Sequence, residues 1–362
     1  MSEIQSIHKP VELWYTRCGS ATASALAIQK NWLQEEFNKN GTLLRSLRDS
    51  HSLEVRNSHY HHKQSGMFRE GGNIPPIWAK GQGQDTVVVG ITWLDEYQGI
   101  LARADSGINN IYDLKGKRLG IPKHAQAVID FQRGAAQHGF YTALNLAGLS
   151  VSDAIFVDLD APSYDTEDGP RKISTAKKEI EIEALNNGTV DAIFLRFARG
   201  FRLSKDPQYT QVININDHPD PLVRVNNGTP RPITVDRKFL NQHPEIVARY
   251  LAVLLRTANW AENHQKEVLQ LLSNESSDSN SGSSIADVIG SHGNNVHKSF
   301  TPALSDQYIA GLNAQKNFLR DWGYVENDFD IHDWISHEPL RRAHELLTEK
   351  PFFNTAGVAL AA

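Results

Sequence analysis

The 362-residue sequence predicts an α/β protein, and two observations carry that expectation. Short apolar runs alternate with longer segments of helical periodicity, the pattern of strands fed by crossover helices. Hydrophobic residues make up 40% and charged residues 22% of a chain long enough for one large or two medium domains with substantial cores.

Val11 to Tyr15 (VELWY) reads as the first strand. From Ser20 to Phe37, Ala23, Leu26, Ala27 and Leu33 fall at helical spacing, with Ser20 as the expected N-cap. Leu53 to Val55 is the expected second strand, followed by a connection rich in His and Gly. Thr86–Ile91 and Gly99–Ala104 read as strands, and Asn110 to Ile121 as a helical turn entering another. Ala154–Leu159 and Asp191–Leu195 are expected to be buried strands, with Asn187-Gly188 ending the helix between them. Pro244 to His264 is amphipathic, with Ile246, Tyr250, Leu254 and Ala258 on one face. Ser273 to Ser284 is small, polar and low in complexity, which predicts a flexible surface loop. Asp306 to Leu347 reads as helical and rich in aromatic residues, and no internal repeat is apparent.

The formal charge of −5 gives no general attraction to nucleic acid or an anionic membrane, so an anionic ligand needs a local basic site. No run of about 18 apolar residues occurs, so no membrane span is expected. The single cysteine excludes an intramolecular disulfide. The first residues, MSEIQSIHKPVELWY, lack the basic and apolar regions of a secretory signal, which makes the cytoplasm the expected location.

Cys18 follows the first strand and precedes the first helix, where the positive helix end favours a thiolate. The ordinary alternative for a lone cysteine is a small buried hydrophobe. His59 can exchange protons near neutral pH, whereas His51, His61 and His62 read as surface residues of a polar loop. A metal set of His59, His61 and His62 lacks well-separated geometry and a carboxylate or thiolate partner, so neither metal nor cofactor is expected. Arg69 is followed by Gly71 and Gly72, where a planar fork of donors meets backbone that an anion can approach closely. Pro75-Pro76 is expected to stiffen the exit from that loop.

The segments DLKGKRLGIP (Asp113 to Pro122), after GILARADSGI (Gly99 to Ile108), and ALNNGTVDAIF (Ala184 to Phe194) resemble the solute-binding proteins of sulfonate, nitrate and taurine transporters. That resemblance implies a type II periplasmic-binding-protein-like fold, two lobes with mixed sheets and a central cleft. Residues 1–107 with 223–362 would form the first lobe and residues 108–222 the second. A sharper resemblance joins Tyr15-Thr16-Arg17-Cys18, His59 ten residues before Arg69, and Arg69-Glu-Gly-Gly-Asn-Ile-Pro-Pro76. In that order they are similar to the 2′-hydroxybiphenyl-2-sulfinate desulfinases of dibenzothiophene desulfurisation.

The resemblance implies hydrolysis of the C–S bond of an aryl or other organic sulfinate, with release of sulfite. Cys18 serves as nucleophile or proton donor and His59 as its acid–base partner. Arg69 clamps the anion with Gly71, Gly72 and Thr16. Two departures bear on the substrate. The family carries an aromatic, Pro-rich segment after its VDA strand, where this chain has Leu195-Arg-Phe-Ala-Arg-Gly200. Arg196 and Arg199 either face the cleft, making it more polar than a biphenyl site, or lie on the surface. Arg17, beside the thiol, either supports a thiolate or faces solvent. The competing functions are a non-catalytic sulfonate- or taurine-binding protein of a transporter, which shares the fold and clamp but needs export, and a sensor or biosynthetic enzyme on the same scaffold. The expected partner is a small organic sulfinate or sulfonate, and the expected state is a monomer.

Overall fold

In the computed structural model, which describes residues 10–16, 18–19, 21–39, 41–162, 168–169, 179–277 and 284–349, ten strands form two five-stranded sheets. The strands are β1 (Glu12–Tyr15), β2 (Leu43–Ser46), β3 (Met67–Glu70), β4 (Thr86–Thr92), β5 (Gln98–Arg103), β6 (Arg118–Lys123), β7 (Ile155–Asp160), β8 (Ala192–Arg196), β9 (Tyr209–Asn214) and β10 (Arg231–Asp236). The first sheet has the order β2-β1-β3-β10-β4 and the second β7-β6-β8-β5-β9. Both are mixed: β1 runs parallel to β2 and β3, while β10 is antiparallel to β3 and β4. In the second sheet β6 is parallel to β7 and β8, and β5 is antiparallel to β8 and β9.

The chain first crosses between sheets at Trp93–Tyr97, so β5 lies in the second sheet. This corrects the expected lobe boundary, which puts residues 98–103 with the first lobe. The return crossing precedes β10, which inserts between β3 and β4. That insertion brings Arg231 to the same end of the sheet as the β1 and β3 exits.

Two large cores hold the sheets. In one, Leu13, Phe68, Val87 and Val89 pack on Tyr250, Leu254 and Ala258 of the helix Pro244–Glu262. Phe68 and Tyr250 stack there with centroids 4.0 Å apart. The other core joins Val88 to Ile100, Ile121, Phe140 and Trp334, and so runs between the two sheets. The strand β4 serves both, which is why all seven of its residues are buried and its sequence lacks polar alternation.

Several local expectations change. The first helical pattern is two helices, Ala23–Gln29 and Trp32–Asn38, separated by Asn31 at φ 59°. Thr22 is the cap, its hydroxyl accepting from Ala25 N at 3.1 Å, and Ser20 lies outside the described residues. Leu53–Val55 is not a strand but the opening of the helix Leu53–His61, capped by Ser52 with Glu54 in its first turn. The strand β7 lies at the sheet edge, and Ile155 is 55% exposed. A helix, Gln265–Ser277, takes up the first part of the expected Ser273–Ser284 loop and buries Ser273 and Glu275. Residues 278–283 lie outside the described residues. The C-terminal pattern divides into helices Asp306–Asp321 and Glu338–Thr348. No helix among the described residues is long and apolar enough to cross a membrane.

Candidate active site between the sheets

A cavity of about 720 Å³ opens between the two sheets. Cys18, His59, Arg69, Gly72 and Arg231 reach it from the first sheet and its helices, and Phe131, Arg196, Phe197 and Arg199 from the second. The three residues of the ordered motif therefore converge in one cavity.

Cys18 sits in the loop that leaves β1, and its sulfur lies 3.8 Å from His59 Nε2. It also donates to the Glu70 carbonyl at 3.3 Å. Gly71 lies directly against it: a β-carbon at that position would fall 2.2 Å from the sulfur. The glycine is required by this close approach. Gly71 does not line the cavity, so its role is packing beneath the thiol rather than the expected contact with an anion.

The anticipated helix end behind Cys18 is occupied by another group. Ala23 N donates to Glu70 Oε1 at 3.3 Å and Ser24 N to Oε2 at 2.8 Å, while Thr92 Oγ1 donates to Oε1 at 3.2 Å. The Glu70 carboxylate, rather than the thiol, receives the helix N–H groups, because a buried carboxylate needs donors more than sulfur does. Burial pushes Glu70 above the usual carboxylate range, and the Ser24 and Ala23 bonds and the Arg231 charge partly offset that.

His59 occupies the last turn of the helix Leu53–His61. Its ring meets Tyr60 edge-on at 4.9 Å, and Tyr60 stacks on Phe131 of the opposite wall at 6.2 Å. His61 and His62 are buried, contrary to the surface expectation, because the chain turns at His62 (φ 58°) toward β3. His61 faces Glu54 at 3.5 Å, and His62 Nδ1 donates to Tyr60 O at 3.0 Å. The three histidines diverge, and among the described residues no group of three or more His, Cys, Asp or Glu is placed to hold a metal ion.

Arg69 is 1% exposed and organises the site from below. Its Nε donates to the His59 carbonyl at 2.9 Å and its Nη1 to the Gly72 carbonyl at 2.7 Å. Burial lowers its pKa, and the neighbouring Cys18 and Tyr60 raise it again. Nη2 takes part in neither bond, and Arg69 is among the residues that line the cavity. Pro75 and Pro76 lie within the first turn of the helix Ile74–Gly81, not in the loop. Thr16 does not line the cavity; it is buried beside β3, its N–H bonded to Phe68 O at 3.1 Å. Arg17 lies outside the described residues.

Arg196 and Arg199 both line the cavity, and each faces carboxylate. Arg196 Nε donates to Glu96 Oε1 at 2.6 Å, and Arg199 lies 3.6 Å from Glu179 and 3.4 Å from Glu181. Glu96 is fully buried and also accepts from Arg231 Nη2 at 3.1 Å. Arg231 bonds the Ala21 and Gly228 carbonyls as well, tying the Cys18 loop to β10. Glu96, Arg231, Asn227 and His292 were not foreseen. Only the Asn226-Asn-Gly-Thr-Pro-Arg231 stretch gave a signal, as a turn-rich segment before a strand. There Asn227 Oδ1 accepts from Ile74 N at 3.0 Å and presses on Gly72.

Residues 75–166 match the family model described as NMT1/THI5 like. Over 313 residues the chain is 23% identical to the 2′-hydroxybiphenyl-2-sulfinate desulfinase of Rhodococcus erythropolis, covering 79% of this chain and 82% of that one. A cysteine-to-serine mutant of DSZB, solved in complex with biphenyl-2-sulfinic acid, superposes with a TM-score of 0.72 at 20% identity, over 93% of this chain and 99% of that one. The periplasmic aliphatic sulphonate binding protein SsuA of Escherichia coli superposes with a TM-score of 0.63 at 16% identity, covering 90% and 98%. The chain thus has the two-lobed, periplasmic-binding-protein-like α/β fold, and it is similar both to a sulfinate desulfinase and to sulfonate-binding proteins.

Proposed function

We propose that this protein is a desulfinase that hydrolyses the C–S bond of an organic sulfinate. The observation that carries the reading is the meeting of Cys18 Sγ, His59 Nε2 and the Arg69 guanidinium at one cavity wall. A sulfonate-binding protein needs the arginine but has no use for a thiol beside an imidazole. Similarity to the Rhodococcus desulfinase supports the same reaction class.

The overall change is R–SO₂⁻ + H₂O → R–H + HSO₃⁻. Arg69 Nη2 and backbone near Gly72 bind the sulfinate oxygens. In this reading Cys18 acts as the proton donor: its proton passes to the carbon as the C–S electron pair moves onto that carbon, and SO₂ departs. Water adds to SO₂ to give bisulfite, and the proton released returns to the thiolate through His59. Enclosure between the lobes keeps bulk water from competing at the anion. The protein is proposed to act as a monomer in the cytoplasm, on a small-molecule sulfinate.

Sulfite release from a panel of aryl and alkyl sulfinates, by wild type and Cys18→Ser, tests this. The expected result is turnover by wild type and a loss of about 10³-fold or more in the variant, the scale of removing a reacting group. Tight sulfonate binding without turnover, unaffected by the substitution, sinks the desulfinase reading and leaves the binding-protein one.

A further inference from the structure

Glu96 lies between β4 and β5, where the chain crosses from one sheet to the other, and it is fully buried. A carboxylate in that position needs a partner at each oxygen. Oε1 accepts from Arg196 at the end of β8 in the second sheet, through Nε at 2.6 Å and through Nη2. Oε2 accepts from Nη2 of Arg231 at the start of β10 in the first sheet, at 3.1 Å. Arg231 directs its other nitrogens at main chain. Nε donates to the Gly228 carbonyl at 2.8 Å, and Nη1 to the carbonyl of Ala21, three residues after Cys18. The Cys18 loop is therefore tied to β10 at Ala21, and to Glu70 at Ala23 and Ser24. Burial lowers the Arg231 pKa, while Glu96, Glu70 and Cys18 raise it, so this charge and the thiol feel one another. Gly228 fits the carboxylate closely: a β-carbon there would fall 2.0 Å from Glu96 Oε2. Removing the guanidinium at 196 leaves Oε1 without its donors, and Arg231 is the other guanidinium paired with that carboxylate. Arg231 then swings toward Oε1, because an orphaned buried carboxylate oxygen costs more than a lost bond to a loop carbonyl. The Ala21 tether goes with it.

We propose that Arg196 and Glu96 are positioning residues for Cys18, acting across the two sheets through Arg231 and the Ala21 carbonyl. The thiol is set in place only when the second sheet presents Arg196 to Glu96. The consequence for catalysis rests on the desulfinase reading, whereas the tether itself does not.

The test reads the loop and the reaction separately. Hydrogen–deuterium exchange of the peptide that carries Cys18, Ala21 and Ala23 is followed in wild type, Arg196→Met, Arg196→Lys and Arg202→Met. Arg202 also lines the cavity but pairs with Asp287, at 3.2 Å, rather than with Glu96, so R202M controls for the loss of a cavity arginine. Exchange should be faster by about fivefold or more in R196M, and within about twofold of wild type in R202M and in R196K, which keeps a charged donor for Oε1. On a sulfinate that wild type turns over, kcat should fall by about tenfold or more in R196M with KM changed by less than about threefold, and R196K should restore it. Loop exchange unchanged in R196M, equal loosening in R202M, or a rise in KM alone overturns the proposal. Gly228→Ala crowds the Glu96 carboxylate without removing a charge, and it gives a second reading should R196M not fold. Its loop exchange should also rise by about fivefold, and exchange like that of wild type overturns the proposal. Absence of sulfite from every sulfinate, with loop exchange still raised in R196M, refutes the desulfinase reading and upholds the tether.

Discussion

Replacing Gly71 with alanine is the sharpest probe of how the thiol is held. The new methyl carbon would lie 2.2 Å from Cys18 Sγ and 3.2 Å from Cys18 Cβ. Unstrained heavy-atom contacts lie at about 3.5–4.0 Å, so the sulfur must retreat by about 1.3 Å or more. A retreat toward the cavity takes the sulfur out of its place relative to the Glu70 carbonyl, now 3.3 Å away, and His59 Nε2, now 3.8 Å away. A reacting constellation tolerates about 0.5 Å of misplacement, and a 1 Å error costs about 100-fold in rate, or about 2.7 kcal/mol of barrier. Overpacking costs about 1–3 kcal/mol of stability, which leaves a protein of ordinary stability folded. The assay is kcat/KM for sulfite release, alongside thermal unfolding and the rate of Cys18 labelling by a thiol reagent. A folded G71A that keeps activity within threefold of wild type refutes the idea that Gly71 positions the sulfur.

Two further perturbations follow from the same geometry. Arg69→Lys retains the charge but cannot span the His59 and Gly72 carbonyls, which lie 2.9 and 2.7 Å from two different nitrogens. The expected outcome is a fall of at least about 100-fold in kcat/KM and a stability loss of about 1–3 kcal/mol, the scale of one unsatisfied buried acceptor, measured by urea unfolding; near-wild-type kinetics would show that the fork is dispensable. His138 is buried, stacks on Phe318 at 3.9 Å and bonds Gln315, with its pKa depressed by burial from 6.5 to about 4. Between those values the unfolded chain binds the extra proton, so stability falls as pH drops from 6.5 through 4, by about 3 kcal/mol in all for this group. His138→Phe should remove about 2 kcal/mol from the difference in unfolding free energy between pH 7 and pH 4.5, where the titration is not yet complete, and an unchanged difference would mean that His138 does not titrate with folding.

The parts of the molecule that were legible in the sequence are those whose cause is local. The apolar runs of β4 and β5 and the stripe of Pro244–Glu262 declare themselves because each segment's own periodicity reflects its burial. Leu53–Val55 misled because three apolar or acidic residues fit either state, and the deciding features were the Ser52 cap and the tertiary face that buries Arg56 and Ser58. Thr16 misled in another way, since its place beside a reactive residue says nothing of which face its side chain takes. The lobe boundary was misplaced for a related reason: β5 joins the second sheet through pairing with β8 and β9, strands about 90 and 110 residues later.

The same distinction divides the cavity. Cys18, His59, Arg69 and Gly72 come from one continuous stretch of the first sheet and its connections, so their order and spacing along the chain already encode their convergence. The ion-paired cluster of Glu96, Arg196, Arg231 and His292 comes from four distant segments, and no spacing rule links them. Their relation is electrostatic: one buried carboxylate serves two guanidinium groups across the two sheets, and the Asp95 carbonyl of the segment that crosses between the sheets orients the His292 ring. The Cys18 side of the cavity is thus built by a local motif, whereas the Arg196 side is built by long-range pairing. On the proposed desulfinase reading, substitutions on the far wall outside the Glu96 cluster are therefore expected to change substrate preference while the Cys18 side stays as it is.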